Sequence, residues 1–482
     1  MTLRLPRRSD VVLGKTVPFL PWSDVRLNRK EQGYHATIWG QTGSGKSRLL
    51  QSVFLQHLRL GTGVCLIDPH HDLAYDTVCS LKQQGFFTDP GSYEKLIYID
   101  WGNGAYVPFN ILARNSVQAR LNEPEVIAGN VLDSFLRCWP ELQQAPTFQT
   151  LFTASCEVLI ANELPMTFLY QLLADRRFRL SCLQAVSDPL IHLVFQTFDK
   201  TRDQVNEAGS TLRRAYLVSH DANCRYTLGQ RENWLNVRSI MDSGKSMIID
   251  LGAIQNREVR RLIGALLLVS IEQAALSRTD LLPQQRRPFV VLVDEWQEFA
   301  AHDTISDILS QTRKYNLRLY LATQSSTGIE SVRLERALEN CRLTIVFGVG
   351  RYSAKQQAEQ IGTIDFASLK EEAKTQSQHN LFQTVPEQFE AWAQDLQNMD
   401  SREAYVKLVH EPAQRMRTVY VPDHEVGQDE IADVLHTYRQ MYQREKPQAQ
   451  TAVPRTIIAD PLPAMGDTLR PPLSPRKRRG VE

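Results

Sequence analysis

Residues 36–47 read Ala-Thr-Ile-Trp-Gly-Gln-Thr-Gly-Ser-Gly-Lys-Ser, and the reading of this stretch decides the fold. A short apolar run, Ala36–Trp39, leads into Gly40-x4-Gly45-Lys46-Ser47, the spacing of a nucleotide-phosphate loop. Gly43 and Gly45 let the backbone curl so that several N–H groups face one anion. Gln41, Thr42 and Ser44 fill the loop between the glycines. Lys46 supplies a point charge to β- and γ-phosphates, and the Ser47 hydroxyl is a ligand for Mg²⁺. The apolar-periodic run after Lys46 predicts a helix whose positive N-terminal end meets the same anion. With a strand before and an amphipathic helix after, the expectation is a nucleoside triphosphate site.

Working outward, the next apolar run is Gly63-Val64-Cys65-Leu66-Ile67-Asp68-Pro69, a buried strand closed by turn residues. His70, His71 and Asp72 follow at its C-terminal end, where open α/β sheets place ligands. A histidine pair invites a metal reading, but no third ligand lies nearby in sequence. Residues 73–84 predict a helix, and Lys95–Asp100 a third strand. From 113 to about 240 the texture changes to apolar residues at three- and four-residue spacing, such as Val131, Phe135, Phe148 and Phe152. That pattern predicts an all-α insertion.

The sheet resumes at Ser246–Leu251. The preceding Ser243-Gly244-Lys245-Ser246 resembles a second phosphate loop, but Ser239 occupies the leading glycine position and the apolar strand follows instead of precedes. It reads as a turn into a strand. Pro288-Phe289-Val290-Val291-Leu292-Val293-Asp294-Glu295 is an apolar strand ending in two carboxylates, the form of a Walker B strand. Asp294 would hold the Mg²⁺ water shell and Glu295 would polarise the attacking water. Thr312-Arg313-Lys314-Tyr315 then precedes the strand Leu317–Thr323, which Gln324 closes. Gln324 is placed to meet the γ-phosphate or the lytic water. Arg313 is either a solvated surface residue or a finger reaching a neighbouring subunit's phosphate. Arg351, after the strand Leu343–Val349, is a second finger candidate.

The flanks add less. Residues 1–34 read as an irregular or β-type lead-in, and 386–442 as a helix, two strands and a final helix. Residues 446–482 are rich in Pro and polar residues and end Arg476-Lys477-Arg478-Arg479, which predicts a disordered basic tail. Across 482 residues the formal charge is +1, so a nucleic-acid surface would have to be local. Seven cysteines are scattered without metal spacing, which favours a reducing cytoplasm over structural zinc. The N-terminus has no signal-type apolar core. The apolar run Leu262–Ile271 falls short of the ~20 residues that span a bilayer.

Taken together, the phosphate loop, Asp68-Pro69-His70-His71-Asp72-Leu73, Pro108-Phe109-Asn110, an α insertion, Leu292-Val293-Asp294-Glu295-Trp296-Gln297-Glu298-Phe299, Thr312–Tyr315 and Ala322-Thr323-Gln324 resemble the HerA/FtsK superfamily of RecA-like motors. The likeness is strongest to type IV secretion coupling ATPases of the TraG/TraD kind and covers roughly residues 30–425. It implies an α/β fold, a RecA-like P-loop NTPase sheet carrying an inserted all-α domain. The parts would be a lead-in (1–34), a split ATPase domain (35–112 and 241–425), the insertion (113–240), a C-terminal helix (426–445) and the tail. It implies ATP and Mg²⁺ as cofactors, a homo-hexameric ring, and DNA as the moving partner, with a secretion channel, relaxase or nuclease alongside. It carries the trans finger onto Arg313 and the strand-ending glutamine onto Gln324. Two departures stand out. His71 sits where that family usually has Gly, and the transmembrane helices with which coupling proteins usually begin are not seen.

The Leu-Val-Asp-Glu stretch also resembles motif II of monomeric helicases, but their Gly-Asp-x-x-Gln motif and second RecA-like domain are not found. A GTPase would need Asn-Lys-x-Asp. A secretion ATPase moving protein, or a nucleotide-gated cargo adaptor, stays open as an alternative to a DNA motor. Intact Lys46, Asp294 and Glu295 favour turnover over an adaptor.

Overall fold

The computed structural model describes residues 9–17, 23–101, 104–114, 122–201, 208–298, 302–324, 332–365, 367 and 383–445. The expected lead-in segment 18–22, Phe299 and the expected basic tail 446–482 lie outside the described residues. The chain divides into two units, Met1–Arg444 and Glu445–Glu482.

The frame of the first unit is an eleven-stranded sheet in the order β2-β1-β12-β11-β10-β3-β9-β8-β4-β7-β5. The strands are β1 (Val11–Thr16), β2 (Asp24–Leu27), β3 (Ala36–Trp39), β4 (Gly63–Asp68), β5 (Leu96–Asp100), β6 (Ala105–Tyr106, outside this sheet), β7 (Ser246–Asp250), β8 (Phe289–Val293), β9 (Leu317–Thr323), β10 (Leu343–Phe347), β11 (Glu403–Leu408) and β12 (Gln414–Thr418). From β10 to β5 every pairing is parallel. The β2-β1-β12-β11 edge is antiparallel and joins β10 antiparallel through β11. This is the α/β, RecA-like sheet that the motifs imply.

The sequence pattern explains the burial. Parallel strands covered on both faces need continuous apolar runs, and β4 and β8 are buried at every residue. Alternate side chains then serve opposite layers. Phe289, Val291 and Val293 join the core beneath the insertion, whereas Val290 and Leu292 join the core beneath helices Lys46–Arg59 and Asp72–Gln83. Among the described residues, eight α-helices between Pro124 and Ser243 interrupt the strand order after β5 and β6. Several start on an aspartate or asparagine that accepts from the first-turn N–H groups: Asp175, Asp188, Asp221 and Asn236. The last of them stops at Gly244, which is left-handed (φ 72°), and the chain then enters β7. The Gly-Lys-Ser at 244–246 is a helix stop followed by a strand.

Two placements prepare the site. β9 inserts between the phosphate-loop strand β3 and the Asp-Glu strand β8. And β8, β4, β7 and β5, neighbours in that order, each run into an aspartate at the same sheet edge. Asp68 is in register with Asp250, Asp250 with Asp100, and the Asp294 N–H donates to the Ile67 carbonyl at 3.1 Å.

Candidate functional site

The phosphate loop follows β3 and opens helix Lys46–Arg59. Gly43 and Gly45 have φ of 78° and 112°, so both need the freedom glycine has. Gly40 is tight for another reason: a Cβ there would lie 2.6 Å from Ser44 Oγ and 2.7 Å from Phe347 Cβ. The loop is therefore a backbone cradle with no room for side chains at its start. Ser44 Oγ is buried without a hydrogen-bond partner, a polar atom left over inside the cradle.

Lys46 is buried and donates to the Gly40 carbonyl at 2.6 Å. Burial holds its pKa below the usual lysine value, while Glu295 (3.9 Å away) and Asp294 pull it back up. Ser47 Oγ donates to Asp294 Oδ2 at 3.2 Å. A hydroxyl and a carboxylate side by side are the hard oxygen donors Mg²⁺ prefers, and the site fits that ion. Burial raises the Asp294 pKa against the pull of Lys46 and the Ser47 hydroxyl. It does the same at Glu295, opposed chiefly by the Gln324 hydrogen bond.

Glu295 adopts a left-handed backbone (φ 43°), a conformation that non-glycine residues keep only where the surroundings enforce it. The twist sets its carboxylate beside the loop. Its Oε2 accepts from the Gln324 N–H at 3.3 Å, and Gln324 Oε1 accepts from Thr42 Oγ1 at 2.8 Å. Since β9 lies between β3 and β8, Gln324 bridges the loop to the Asp-Glu pair. Lys46, Ser47, Thr42, Asp294, Glu295 and Gln324 thus converge on one cleft of about 470 Å³, within the range of ligand sites.

The row of aspartates is balanced one by one. Asp294 has Lys46 and Ser47. Asp68 accepts from the His70 and Ala74 N–H groups, each at 2.8 Å, and burial, with Asp250 and Asp294 nearby, pushes its pKa up to about 6. Asp250 accepts from the Tyr98 hydroxyl (2.8 Å) and the Gly252 N–H (3.0 Å) and pairs with His71 Nδ1 (2.5 Å). Asp100 pairs with Arg439 at 2.6 Å. His70 faces Glu298 instead (3.7 Å), so the two histidines serve different carboxylates.

Arg313 stands apart. It opens a short turn before β9, at the end of that strand opposite Gln324, which is about 20 Å of strand away. Its guanidinium lies 5.2 Å from the Tyr34 ring centroid, with Arg342 at 5.5 Å on the same ring. Arg318 is nearby, and His35, whose Nδ1 accepts from the Leu319 N–H, is depressed to about pKa 4 by burial, Arg313 and Arg318. Arg351 takes a different position. It lines a depression with Gln41, Thr42 and Gln324, beside its own chain's loop.

Sequence reasoning missed the far wall of the cleft: Ser401, Arg402 and the segment Val419–Asp423. Arg402 N–H donates to the Ser44 carbonyl (2.9 Å) and Ser401 Oγ to the Gly43 carbonyl (3.1 Å). No spacing signal announces them, because they meet the loop only through the β11 and β12 pairing.

Residues 288–401 match the family model described as the TraM recognition site of TraD and TraG. That stretch contains β8, Asp294, Glu295, Arg313, β9 and Gln324. The fold is similar to that of the bacterial conjugative coupling protein TrwBdeltaN70 (TM-score 0.60, 14% identity, 84% of this chain and 88% of that one). It is also similar to the plasmid coupling protein TrwB in complex with ADP and Mg²⁺ (0.57, 14%, 83% and 88%). VirB4 of Thermoanaerobacter pseudethanolicus shares the fold as well (0.53, 17%, 86% and 97%). A search of curated proteins finds no match. The resemblance to TraG/TraD-type coupling proteins read from the motifs agrees with this matched segment, and the fold is similar to that of the coupling protein TrwB.

Proposed function

We propose that the chain is a ring-forming, Mg²⁺/ATP-dependent DNA translocase, a motor of the coupling-protein kind acting in conjugative transfer or mobile-element DNA processing from the cytoplasmic side. The observation that carries this reading is the division of one site between two ends of the sheet. Lys46, Ser47, Asp294, Glu295 and Gln324 meet in one cleft, while Arg313 sits at the opposite strand end. A cation that completes a phosphate site from that far end must come from another copy. Copies stacked head to tail close into a ring, here a homo-hexamer.

Within each cleft the roles follow from position. The loop N–H groups and Lys46 bind the β- and γ-phosphates, and Ser47 with Asp294 would hold Mg²⁺, which would supply positive charge beside the phosphates. Glu295 orients and deprotonates the attacking water. Gln324 ties that carboxylate to Thr42 in the loop, so a change at the γ-phosphate reaches β9 directly. At the other end of β9 stands Arg313, and the strand is a rigid link between a subunit's own site and its neighbour's. Contacts to DNA would be mainly to phosphates, indifferent to sequence and weakened by salt.

The conjugative coupling proteins that share the fold, and the TraM-recognition family model over residues 288–401, support a DNA-transfer role and a protein partner at the DNA-processing complex. Among the described residues no helix is long and apolar enough to cross a membrane, so attachment there would run through a partner or undescribed segments. The likeness to VirB4 favours a second reading, a secretion ATPase that moves protein. The test is steady-state ATP hydrolysis with and without double-stranded DNA. Stimulation by unrelated DNA sequences that fades with added salt is expected. Hydrolysis indifferent to any nucleic acid would move the assignment to the second reading.

A further inference from the structure

The phosphate machinery fills only one end of the cleft. The other end is walled by Arg48, Asp76, Arg402, Tyr420 and Asp423, none of which the phosphate chemistry requires. We infer that Tyr420 and Arg402 form a stacking platform for a purine base, an inference that rests on the reading of this cleft as a nucleoside triphosphate site. Three observations converge on it.

The first is the exposed ring. Tyr420 is 64% exposed, and the Arg402 guanidinium lies 4.8 Å from its ring centroid. An aromatic ring backed by a guanidinium and open to a cleft is a stacking surface for a base.

The second is rigidity. Arg402 takes a left-handed backbone (φ 68°) and is pinned on every side. Its N–H donates to the Ser44 carbonyl, its carbonyl accepts from the Thr418 N–H (2.9 Å), and Nη2 donates to the Thr418 carbonyl (2.9 Å). The platform is thus bolted to the phosphate loop, at a separation fixed by main-chain hydrogen bonds. A ligand that combines a polyphosphate with a flat aromatic group is what such a fixed separation selects.

The third is the rim. Arg48, the residue after the Mg²⁺-binding serine, bonds Asp423 (2.7 Å) and lies 3.2 Å from Asp76. This bridge ties the platform segment to helices Lys46–Arg59 and Asp72–Gln83. Stacking depends on ring area, so purines should bind more tightly than pyrimidines, with adenine and guanine nearly equal.

The experiment is isothermal titration of wild type and Tyr420→Ala with ATP, GTP, CTP and inorganic tripolyphosphate, all with Mg²⁺. The expected result is about a tenfold loss of ATP and GTP affinity in Tyr420→Ala, with tripolyphosphate unchanged. Tyr420→Trp should keep wild-type affinity. If wild type binds ATP and Tyr420→Ala binds it equally well, the platform is refuted while the phosphate site stands. An equal loss for tripolyphosphate also refutes it, since the ring would then be shaping the loop. If wild type binds neither ATP nor tripolyphosphate, the underlying nucleotide reading fails.

Discussion

The two ends of the parallel sheet differ in the sign of their charge. At the C-terminal ends of β8, β4, β7 and β5 stand Asp294, Asp68, Asp250 and Asp100, all nearly inaccessible to solvent. At the N-terminal ends of β9, β3 and β10 stand Arg313, Tyr34 with His35, and Arg342. The acidic end is balanced internally, each carboxylate by its own donors. The basic end is balanced differently: two guanidiniums share the Tyr34 ring, and no carboxylate partner is found for Arg313 among the described residues. A cation held on an aromatic face is oriented without being neutralised. That is the state required of a group whose partner is a phosphate on another molecule. On the proposed function, the contrast makes one end of the sheet a complete site and the other end half of one.

The comparison breaks most visibly at the acidic end. Lys46→Ala should abolish nucleotide binding, because Lys46 is the charge that the phosphate loop itself brings to the β/γ position. Glu295→Gln should keep binding and lower hydrolysis by up to about 10⁴-fold, the upper range for loss of a general base. Equilibrium binding and single-turnover hydrolysis on the same preparations separate the two. Retained turnover in Glu295→Gln would remove that residue from the reaction.

Next in size is the basic end. Arg313→Ala should cost about 10³-fold in hydrolysis while leaving ATP affinity intact, as expected for an arginine that acts only on the transition state. Mixing it with Lys46→Ala sharpens the test. Each variant alone should be nearly inactive, but in a mixed ring a Lys46→Ala subunit would lend its Arg313 to a neighbour with an intact loop. Recovery of activity in the mixture supports a shared site. No recovery, in rings verified to contain both, would place the completing cation in the same chain. Arg351, beside Thr42 and Gln324, is the residue to change next in that event.

How much of this was legible before the structure depends on what fixed each feature. The phosphate loop was readable because geometry dictates residue type there: φ above 70° at positions 43 and 45 demands glycine, and phosphate demands a lysine and a hydroxyl. Asp294 and Glu295 were readable as the end of an unmistakable buried strand. Gln324 was recognisable as a strand end, but its contact with Thr42 depends on β9 lying between β3 and β8, a pairing order no local pattern encodes. The Asp250–His71 pair joins residues 179 apart, and the lead-in strand β1 finds β12 some 400 residues later. Arg402 was invisible for the opposite reason: it holds a glycine-like backbone conformation without being glycine. Local chemistry was written in the sequence; neighbours across the sheet were not.

The smallest effect tests whether the acidic end is as self-contained as it looks. His71 sits at φ 79°, in the left-handed region that favours glycine, and its imidazole pairs with buried Asp250. The hydrogen bond to Asp250 raises the His71 pKa to about 9, outweighing partial burial. Because the folded pKa lies above the ordinary 6.5, the pair's stabilisation is fully present below about pH 6.5 and is lost as pH rises through 9. His71→Gly removes the pair but relieves the left-handed backbone, worth about 1 kcal/mol. The ring is 40% exposed, so solvent screening limits what the pair contributes beyond that relief. The Tyr98 hydroxyl and the Gly252 N–H remain on Asp250 in the variant. The expected net loss is therefore about 1 kcal/mol at pH 6, shrinking to nothing or changing sign by pH 10. Urea unfolding midpoints of both proteins across that range decide it. A gap that does not change with pH would mean that His71 holds its turn by packing, and that the Tyr98 hydroxyl and the Gly252 N–H suffice as partners of Asp250 in the row.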